Sequence, residues 1–397
     1  MKPAGRIVVV GIGADGMSGL SENSRRELRR AGIIYGSARQ LDLLDESVAA
    51  PRHRWPTPML PVLEGLLADQ PSGDIHVVAS GDPLLHGIGA TLIRLHGAER
   101  VRVLPQVSSV SLACARMGWA AHDTEIISLV TAPTHTAIRR GGRAIVLCRD
   151  ATTPRTLAAG LAETGRGASE FSVLEQLGGP RERIRVGPAE EWAAAPPDDI
   201  DELNVIAVRY LPDENDGRWL ADDVLRHDGQ ITKQTIRAVT LAALSPRAGE
   251  LLWDIGSGSG SIAVEWCRSA PACRAVGFEI DPLRRERVGA NARAFGADID
   301  IRGAAPQEFV DADQPDAIFV GGGLTHTGML EACFDRLRDG GRLVANAVTA
   351  ESEALLVDWY SRRGGELHRF QHYFGEPLGR FTGWRPLMPI TQWTVTK

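Results

Sequence analysis

The chain has 397 residues, of which 43% are hydrophobic and 24% charged. That length and composition exclude a disordered chain and a single small module, and predict roughly two or three domains with cores of their own. Forty-four basic against fifty acidic side chains leave a net charge of −6, which excludes a general nucleic-acid binder, because that needs a strongly cationic face. The first apolar run, Ile7 to Val10, is interrupted by glycine and is too short for a secretory or membrane-spanning segment, so the cytoplasm is the expected compartment. Five cysteines (Cys114, Cys148, Cys267, Cys273 and Cys333) are odd in number and contain no Cys-x-x-Cys, so neither a disulfide framework nor a zinc site is expected. His368 and His372 share a strand-like stretch without a third ligand, and no metal is expected there either.

In chain order, the first half alternates apolar runs with amphipathic stretches, the pattern of α/β sheets flanked by helices. Strands are predicted at Arg6–Val10, Ile33–Tyr35, Ile75–Ala79, Val101–Leu104, Glu125–Val130, Arg143–Cys148, Phe171–Leu177 and Leu203–Tyr210. Helices are predicted at Ser21–Arg30, Gly87–Leu95, Ser108–Arg116 and Pro154–Glu163, where apolar residues recur at spacings of three and four. The loop Gly11-Ile-Gly13-Ala-Asp-Gly16 follows the first strand and matches Gly-x-Gly-x-x-Gly, which raises the alternative of an NAD(P)-dependent oxidoreductase. Two supporting features are absent: the helix begins only around Ser21, and Ile33–Tyr35 carries no terminal acid for a ribose. Arg25, Arg26, Arg29 and Arg30 crowd one helix and read as a solvated face.

The polar stretch Leu211-Pro-Asp-Glu-Asn-Asp-Gly-Arg218 reads as an exposed linker between a first domain, 1–211, and a second, 212–397. The second restarts with a helix, Thr232–Leu244, and seven strands at Leu251–Asp254, Ala275–Glu279, Ile299–Ile301, Ala317–Val320, Arg342–Ala347, Leu367–Phe374 and Pro389–Thr396. The last two lie too close for a helix between them, which predicts a parallel sheet ending in an antiparallel pair. Gly256-Ser-Gly258-Ser-Gly260 follows the strand ending at Asp254 and opens a helix, Ser261–Arg268, so backbone amides face a ligand at a helix N-terminus. Glu279 ends the next strand, 25 residues after Asp254, where a βαβ nucleotide fold places the acid that holds a ribose diol. Loop and acid together point to a nucleoside; Gly-x-Gly-x-Gly spacing removes the need for a pyrophosphate.

Asp254-Ile-Gly-Ser-Gly-Ser-Gly260 resembles the first motif of class I S-adenosylmethionine-dependent methyltransferases, and Val276-Gly-Phe-Glu-Ile-Asp281 their second. Gly303-Ala304-Ala305-Pro306 looks like their adenine-side loop, and Gly340-Gly-Arg-Leu-Val344 like the turn before a late strand. The fourth strand ends Phe319-Val-Gly321-Gly-Gly323 without the Asn/Asp-Pro-Pro-Tyr of base methylases, which argues against nucleic-acid bases and leaves room for a bulky flat substrate. In the first half, Ala79-Ser-Gly81-Asp82-Pro83-Leu-Leu-His-Gly-Ile-Gly89, Pro105-Gln-Val-Ser108-Ser109 and Val173-Leu-Glu-Gln-Leu-Gly-Gly-Pro-Arg-Glu-Arg183 resemble the tetrapyrrole methylases, an unrelated methyltransferase fold. The loop Thr131-Ala-Pro-Thr-His135 departs from the Ser-Leu-His-Gly type of that family.

The fusion of the two, with Gly229-Gln-Ile-Thr232-Lys233-Gln-Thr-Ile-Arg237-Ala238 leading into Leu252-Trp-Asp-Ile-Gly256, resembles the precorrin-6Y C5,15-methyltransferase (decarboxylating) family of cobalamin biosynthesis over essentially the whole chain. The resemblance implies a tetrapyrrole methylase fold followed by a seven-stranded Rossmann-like class I fold. It implies C-5 methylation in the first domain, and C-15 methylation with loss of one acetate as carbon dioxide in the second. One S-adenosylmethionine per domain is implied, held in the first by Gly11, Gly13, Gly81, Asp82, Pro83, Ser108 and Ser109. In the second, the implied residues are Thr232, Asp254, Gly256, Ser257, Gly258, Gly260, Glu279, Ala304, Ala305 and Gly321. The family also implies homo-oligomers. A carboxylate-rich precorrin calls for basic side chains, for which Lys233, Arg237, Arg380 and Arg385 are the candidates, with Trp219, Trp253 and Trp384 as rings that would stack on a flat guest or fill cores. No protein nucleophile is needed, since a sulfonium is already an activated electrophile.

Overall fold

The computed structural model describes residues 5–67, 73–213 and 219–397; the expected linker lies partly outside them, at 214–218. The chain divides into two compact units, one of residues 1–131 and 142–211, the other of residues 132–141 and 212–397.

In the first unit, β1 (Ile7–Ile12), β2 (Ile34–Gly36), β3 (Arg52–Arg54), β4 (Ile75–Ser80) and β5 (Val101–Leu104) form a sheet in the order β3-β2-β4-β1-β5, parallel throughout. The unbroken apolar run of β1 suits a strand covered on both faces. Val8, Val10 and Ile12 pack with Leu28 and Leu41 on one side, Ile7 and Val9 with Leu63 and Leu92 on the other. A second sheet of β6 (Glu125–Ser128), β7 (Arg143–Leu147), β8 (Glu170–Glu175), β9 (Arg183–Pro188) and β10 (Asn204–Arg209) runs β6-β7-β10-β8-β9 and is parallel only between β6 and β7. β3 and β9 are additions to the predicted strands. Both are edge strands, and their side chains face water: Arg52, His53 and Arg54 are all exposed, as are Ile184 and Val186.

In the second unit, β11 (Leu251–Ile255), β12 (Arg274–Phe278), β13 (Ile299–Arg302), β14 (Ala317–Val320), β15 (Arg342–Ala347), β16 (Glu366–Phe370), β17 (Tyr373–Leu378), β18 (Phe381–Pro386) and β19 (Ile390–Thr396) follow in sequence. Seven of them form one sheet, β13-β12-β11-β14-β15-β19-β16, parallel as far as β15, with β19 antiparallel to both its neighbours as the short spacer requires. The expected single strand Leu367–Phe374 is corrected to two. The chain bends at Gln371 and His372, where Leu387 N donates to His372 O at 2.8 Å, and β17 leaves the sheet to pair with β18 as a separate ribbon. Residues 132–141 also pack in this unit: His135 Nε2 lies 3.0 Å from Ala297 O, and the Arg140 guanidinium sits over Phe295 and pairs with Asp213. Among the described residues, no helix is long and apolar enough to cross a membrane.

Candidate functional site

Each unit brings the carboxyl ends of parallel strands together, where helix N-termini and loop amides converge. In the first unit this happens after β1, β2, β4 and β5. Gly11 is in β1 because a Cβ there would collide with the Gly81 carbonyl. The close approach lets Gly81 N donate to Ile12 O at 3.0 Å and Gln106 N to Gly81 O at 3.2 Å, which fixes three loops against one another. Asp82 Oδ1 accepts from Leu84 N at 2.9 Å, turning the chain at Pro83, whose carbonyl accepts from Gly89 N at 3.0 Å. Ser108 caps the helix Ser109–Met117 by accepting from Ser111 N at 3.1 Å. Gly13, Gly81, Asp82, Ser108 and Ser109 line a cavity of about 470 Å³ that is closed on its other side by Cys148, Leu174, Leu177 and Asn204 of the second sheet. Gly11 and Pro83 shape this wall through the backbone without lining it. Asn204 is 5% exposed, donates to Asp201 O at 2.8 Å, and leaves its Oδ1 without a hydrogen-bond partner. A buried acceptor of that kind suits a ligand N–H.

In the second unit the glycine loop caps β11. Gly256 has φ +70°, and a Cβ there would stand 2.8 Å from Gly322 Cα, so β14's terminal glycines and this loop exclude side chains from one another. Gly256 N and Ser257 N both donate to Phe278 O, at 2.9 and 3.0 Å, and Gly321 N donates to Ile255 O at 3.0 Å. Glu279, 5% exposed, accepts from Gly258 N at 2.8 Å and from Asp281 N at 3.0 Å, which ties the expected ribose acid to the loop itself. Asp254 is buried and accepts from Ser257 Oγ at 2.8 Å. Burial, with the nearby Glu279 charge adding to it, pushes the Asp254 carboxyl up to about 6 against the hydrogen bonds from Ser257 and Ala263. Ala304 O accepts from Glu308 N at 3.0 Å and Ala305 packs on the core beneath. Thr232 O accepts from Arg237. Gly256 to Gly260, Glu279 and Gly321 are thus brought together at the carboxyl ends of β11, β12 and β14, while Ala304 and Ala305 follow β13 and Thr232 belongs to the segment held by Arg237.

The substrate-side candidates separate. Lys233 is half-exposed, with Nζ 3.6 Å from Asp222. Arg237 is corrected: it is wholly buried, donates to Asp222 Oδ1 at 2.6 Å, Thr232 O at 2.7 Å and Leu220 O, and lies 3.7 Å from Glu265, so its charge is occupied within the chain. Arg380 and Arg385 sit at the β17–β18 ribbon, Arg385 3.3 Å from Glu376. Of the tryptophans, Trp253 is core, Trp219 packs at the edge of a core, and Trp384 is exposed on the ribbon. Two positions at these sites were not singled out in the sequence. Arg39, in the helix Ala38–Asp42, lines the first cavity. Asn291 holds the second loop by donating to Ser259 O at 2.8 Å and to Arg226 O at 3.0 Å. The one signal for Asn291 was a polar residue three positions from Val288 and one before Ala292 on the buried face of its helix.

A family described as tetrapyrrole (corrin/porphyrin) methylases matches residues 6–193, and one described as a precorrin methyltransferase domain matches residues 223–397. The precorrin-6Y C(5,15)-methyltransferase (decarboxylating) of Mycobacterium tuberculosis is 66% identical over 391 residues, 98% of this chain and 100% of the relative. That of a Sinorhizobium species is 42% identical over 402 residues, 98% of this chain and 96% of the relative. Among solved structures, the C-terminal domain of the Rhodobacter capsulatus precorrin-6Y C5,15-methyltransferase is 43% identical and covers 45% of this chain and 96% of its own, with a TM-score of 0.43. The oxidoreductase alternative finds no support in these relatives. The Gly11–Gly16 loop leads into a short turn, the α-helix starts at Glu22 behind its Ser21 cap, and β2 ends in Gly36 where a dinucleotide fold has an acid.

Proposed function

The chain belongs to the precorrin-6Y C5,15-methyltransferase (decarboxylating) family, and from that premise we propose that its two methyl transfers take place at separate sites, one within residues 1–211 serving C-5 of the macrocycle and one within residues 212–397 serving C-15 together with loss of the acetate carboxyl. The observation that supports this reading is that each unit has its own parallel sheet with glycine-rich loops at the strands' carboxyl ends. S-adenosylmethionine bound in each supplies a methyl group activated by its sulfonium. Gly13, Gly81, Asp82, Ser108, Ser109 and Asn204 would hold it in the first unit, and Thr232, Gly256 to Gly260, Glu279, Ala304, Ala305 and Gly321 in the second.

The protein's own task is placement. An electron-rich ring carbon is already a nucleophile, so the residues' work is to keep it in line and exclude water, an effect that in well-oriented systems reaches roughly 7–11 kcal/mol. In the second unit, Asp254 and Glu279 hold the loop in shape through Ser257 and Gly258, which keeps the cradle ready before any ligand arrives. Decarboxylation needs an electron sink, and the conjugated macrocycle provides one.

The test uses Asp82→Ala and Glu279→Ala in the intact chain with labelled cofactor, the products being located by mass spectrometry and NMR. Glu279→Ala is expected to lose C-15 methylation and carbon dioxide release, Asp82→Ala to lose C-5 methylation, and a mixture of the two to restore the doubly methylated product. A single substitution that abolishes both methylations and is not complemented by the other variant contradicts separate sites.

A further inference from the structure

The cavity of the first unit is lined mostly by small and apolar residues, and a cation stands among them. Arg39 is half-buried in its wall. Its guanidinium donates to Ser80 Oγ at 2.6 Å, and Gln40 Nε2 donates to the same oxygen at 3.0 Å. Among the described residues no carboxylate lies within ion-pair distance of it. Asp201 is near enough to be felt electrostatically, but its Oδ1 already accepts from Gln176 Nε2 at 2.7 Å and from Leu203 N at 2.9 Å. Other half-buried arginines of this unit meet carboxylates, Arg102 at Glu27 and Arg183 and Arg185 at Glu175 and Asp199, whereas Arg100 donates to the Gly5 carbonyl. Partial burial lowers the Arg39 pKa from its ordinary value, against the more distant Asp201 charge, which raises it. A guanidinium offers five donors in a planar fork, of which Ser80 takes one.

Resting on the reading of this unit as the C-5 site, we propose that Arg39 binds a peripheral carboxylate of the tetrapyrrole in the cavity of the first unit and so sets how the macrocycle lies over the methyl donor. A polycarboxylate guest supplies the missing counter-charge, and the short tether between Arg39 and Ser80, at the end of β4, places that contact beside Gly81 and Asp82. Arg39 is a positioning residue: it takes no part in the bond made or broken.

The experiment compares the intact wild-type chain with Arg39→Gln and Arg39→Lys. It reads KM and kcat for C-5 methylation, the salt dependence of that KM, C-15 methylation in the same mixture, and calorimetric binding of S-adenosylhomocysteine. Uroporphyrin, a fluorescent octacarboxylate, and its octamethyl ester serve as binding probes. Arg39→Gln is expected to raise the C-5 KM roughly 10- to 100-fold, the loss of a charge-assisted hydrogen bond, with kcat little changed and C-15 methylation untouched. Arg39→Lys should recover part of that loss, because the charge remains and the fork does not. The wild-type KM should rise with salt more steeply than that of Arg39→Gln, and the substitution should weaken uroporphyrin without affecting its ester.

An unchanged KM in Arg39→Gln overturns the assignment alone. Equal loss of S-adenosylhomocysteine affinity also overturns it, giving Arg39 to the carboxylate of the donor instead. A wild-type chain that puts no methyl on C-5 overturns both this proposal and the reading beneath it.

Discussion

At the scale of single residues, the second cradle holds a charge where water is scarce. Asp254 titrates near 3.8 in an unfolded chain and at about 6 in the fold, so the native state binds its proton more tightly. Its contribution to stability is therefore present below pH 4 and lost as the pH rises through 6. At pH 8 the ionised, buried carboxylate sets the second unit back by about 3 kcal/mol. Asp254→Asn keeps the shape and removes the charge. It should melt at a higher temperature than wild type at pH 8, with the difference shrinking to nothing toward pH 4, as read by calorimetry. A lower melting temperature at pH 8 would mean that the bonds from Ser257 and Ala263 outweigh burial. The arrangement places a destabilising buried carboxylate beneath the glycine loop.

At the scale of elements, the segment 219–233 is tied to the two helices Ser261–Ser269 and Pro282–Phe295 that follow β11 and β12. Leu220 N donates to Glu265 Oε1 at 2.7 Å, Arg226 N to Asn291 Oδ1 at 2.9 Å, and Asp228 pairs with Arg284 and Arg287 at 3.0 and 2.7 Å. Arg237 anchors it from below. Arg237→Ala would take the donor from Asp222 and from the Leu220 and Thr232 carbonyls and leave buried Glu265 with Arg268 alone as counter-charge, and should destabilise the second unit by about 3–5 kcal/mol in urea unfolding while sparing C-5 methylation; a change under about 1 kcal/mol would mean that water replaces the arginine. This element also shows what a sequence can and cannot disclose. β11, β12, β14 and β15 each hold a run of at least three consecutive buried residues, mostly apolar, so their positions are legible to within a residue or two. β9, β17 and β18 are not, because water on their side chains erases the pattern. The glycine loops were legible because close backbone approach admits no other residue at Gly11 and Gly256. Arg237 was misread for the opposite reason: its partner Glu265 lies 28 positions away, and nothing in the local spacing distinguishes a buried arginine from a solvated one. Arg39 and Asn204 meet in one cavity although 165 residues separate them, and only the fold brings them there.

At the scale of the whole molecule, two unrelated folds reach the same solution. Each sets glycine-rich loops at the carboxyl end of a parallel sheet, and each does so within its own unit. The fused chain then keeps two activities of one pathway at a fixed ratio. Titration of the intact chain with S-adenosylhomocysteine in a calorimeter tests this most directly. The account predicts two molecules bound per chain, one lost in Glu279→Ala and the other in Asp82→Ala. A single molecule per chain in the wild type, or displacement of the ligand by NAD(P), would contradict it.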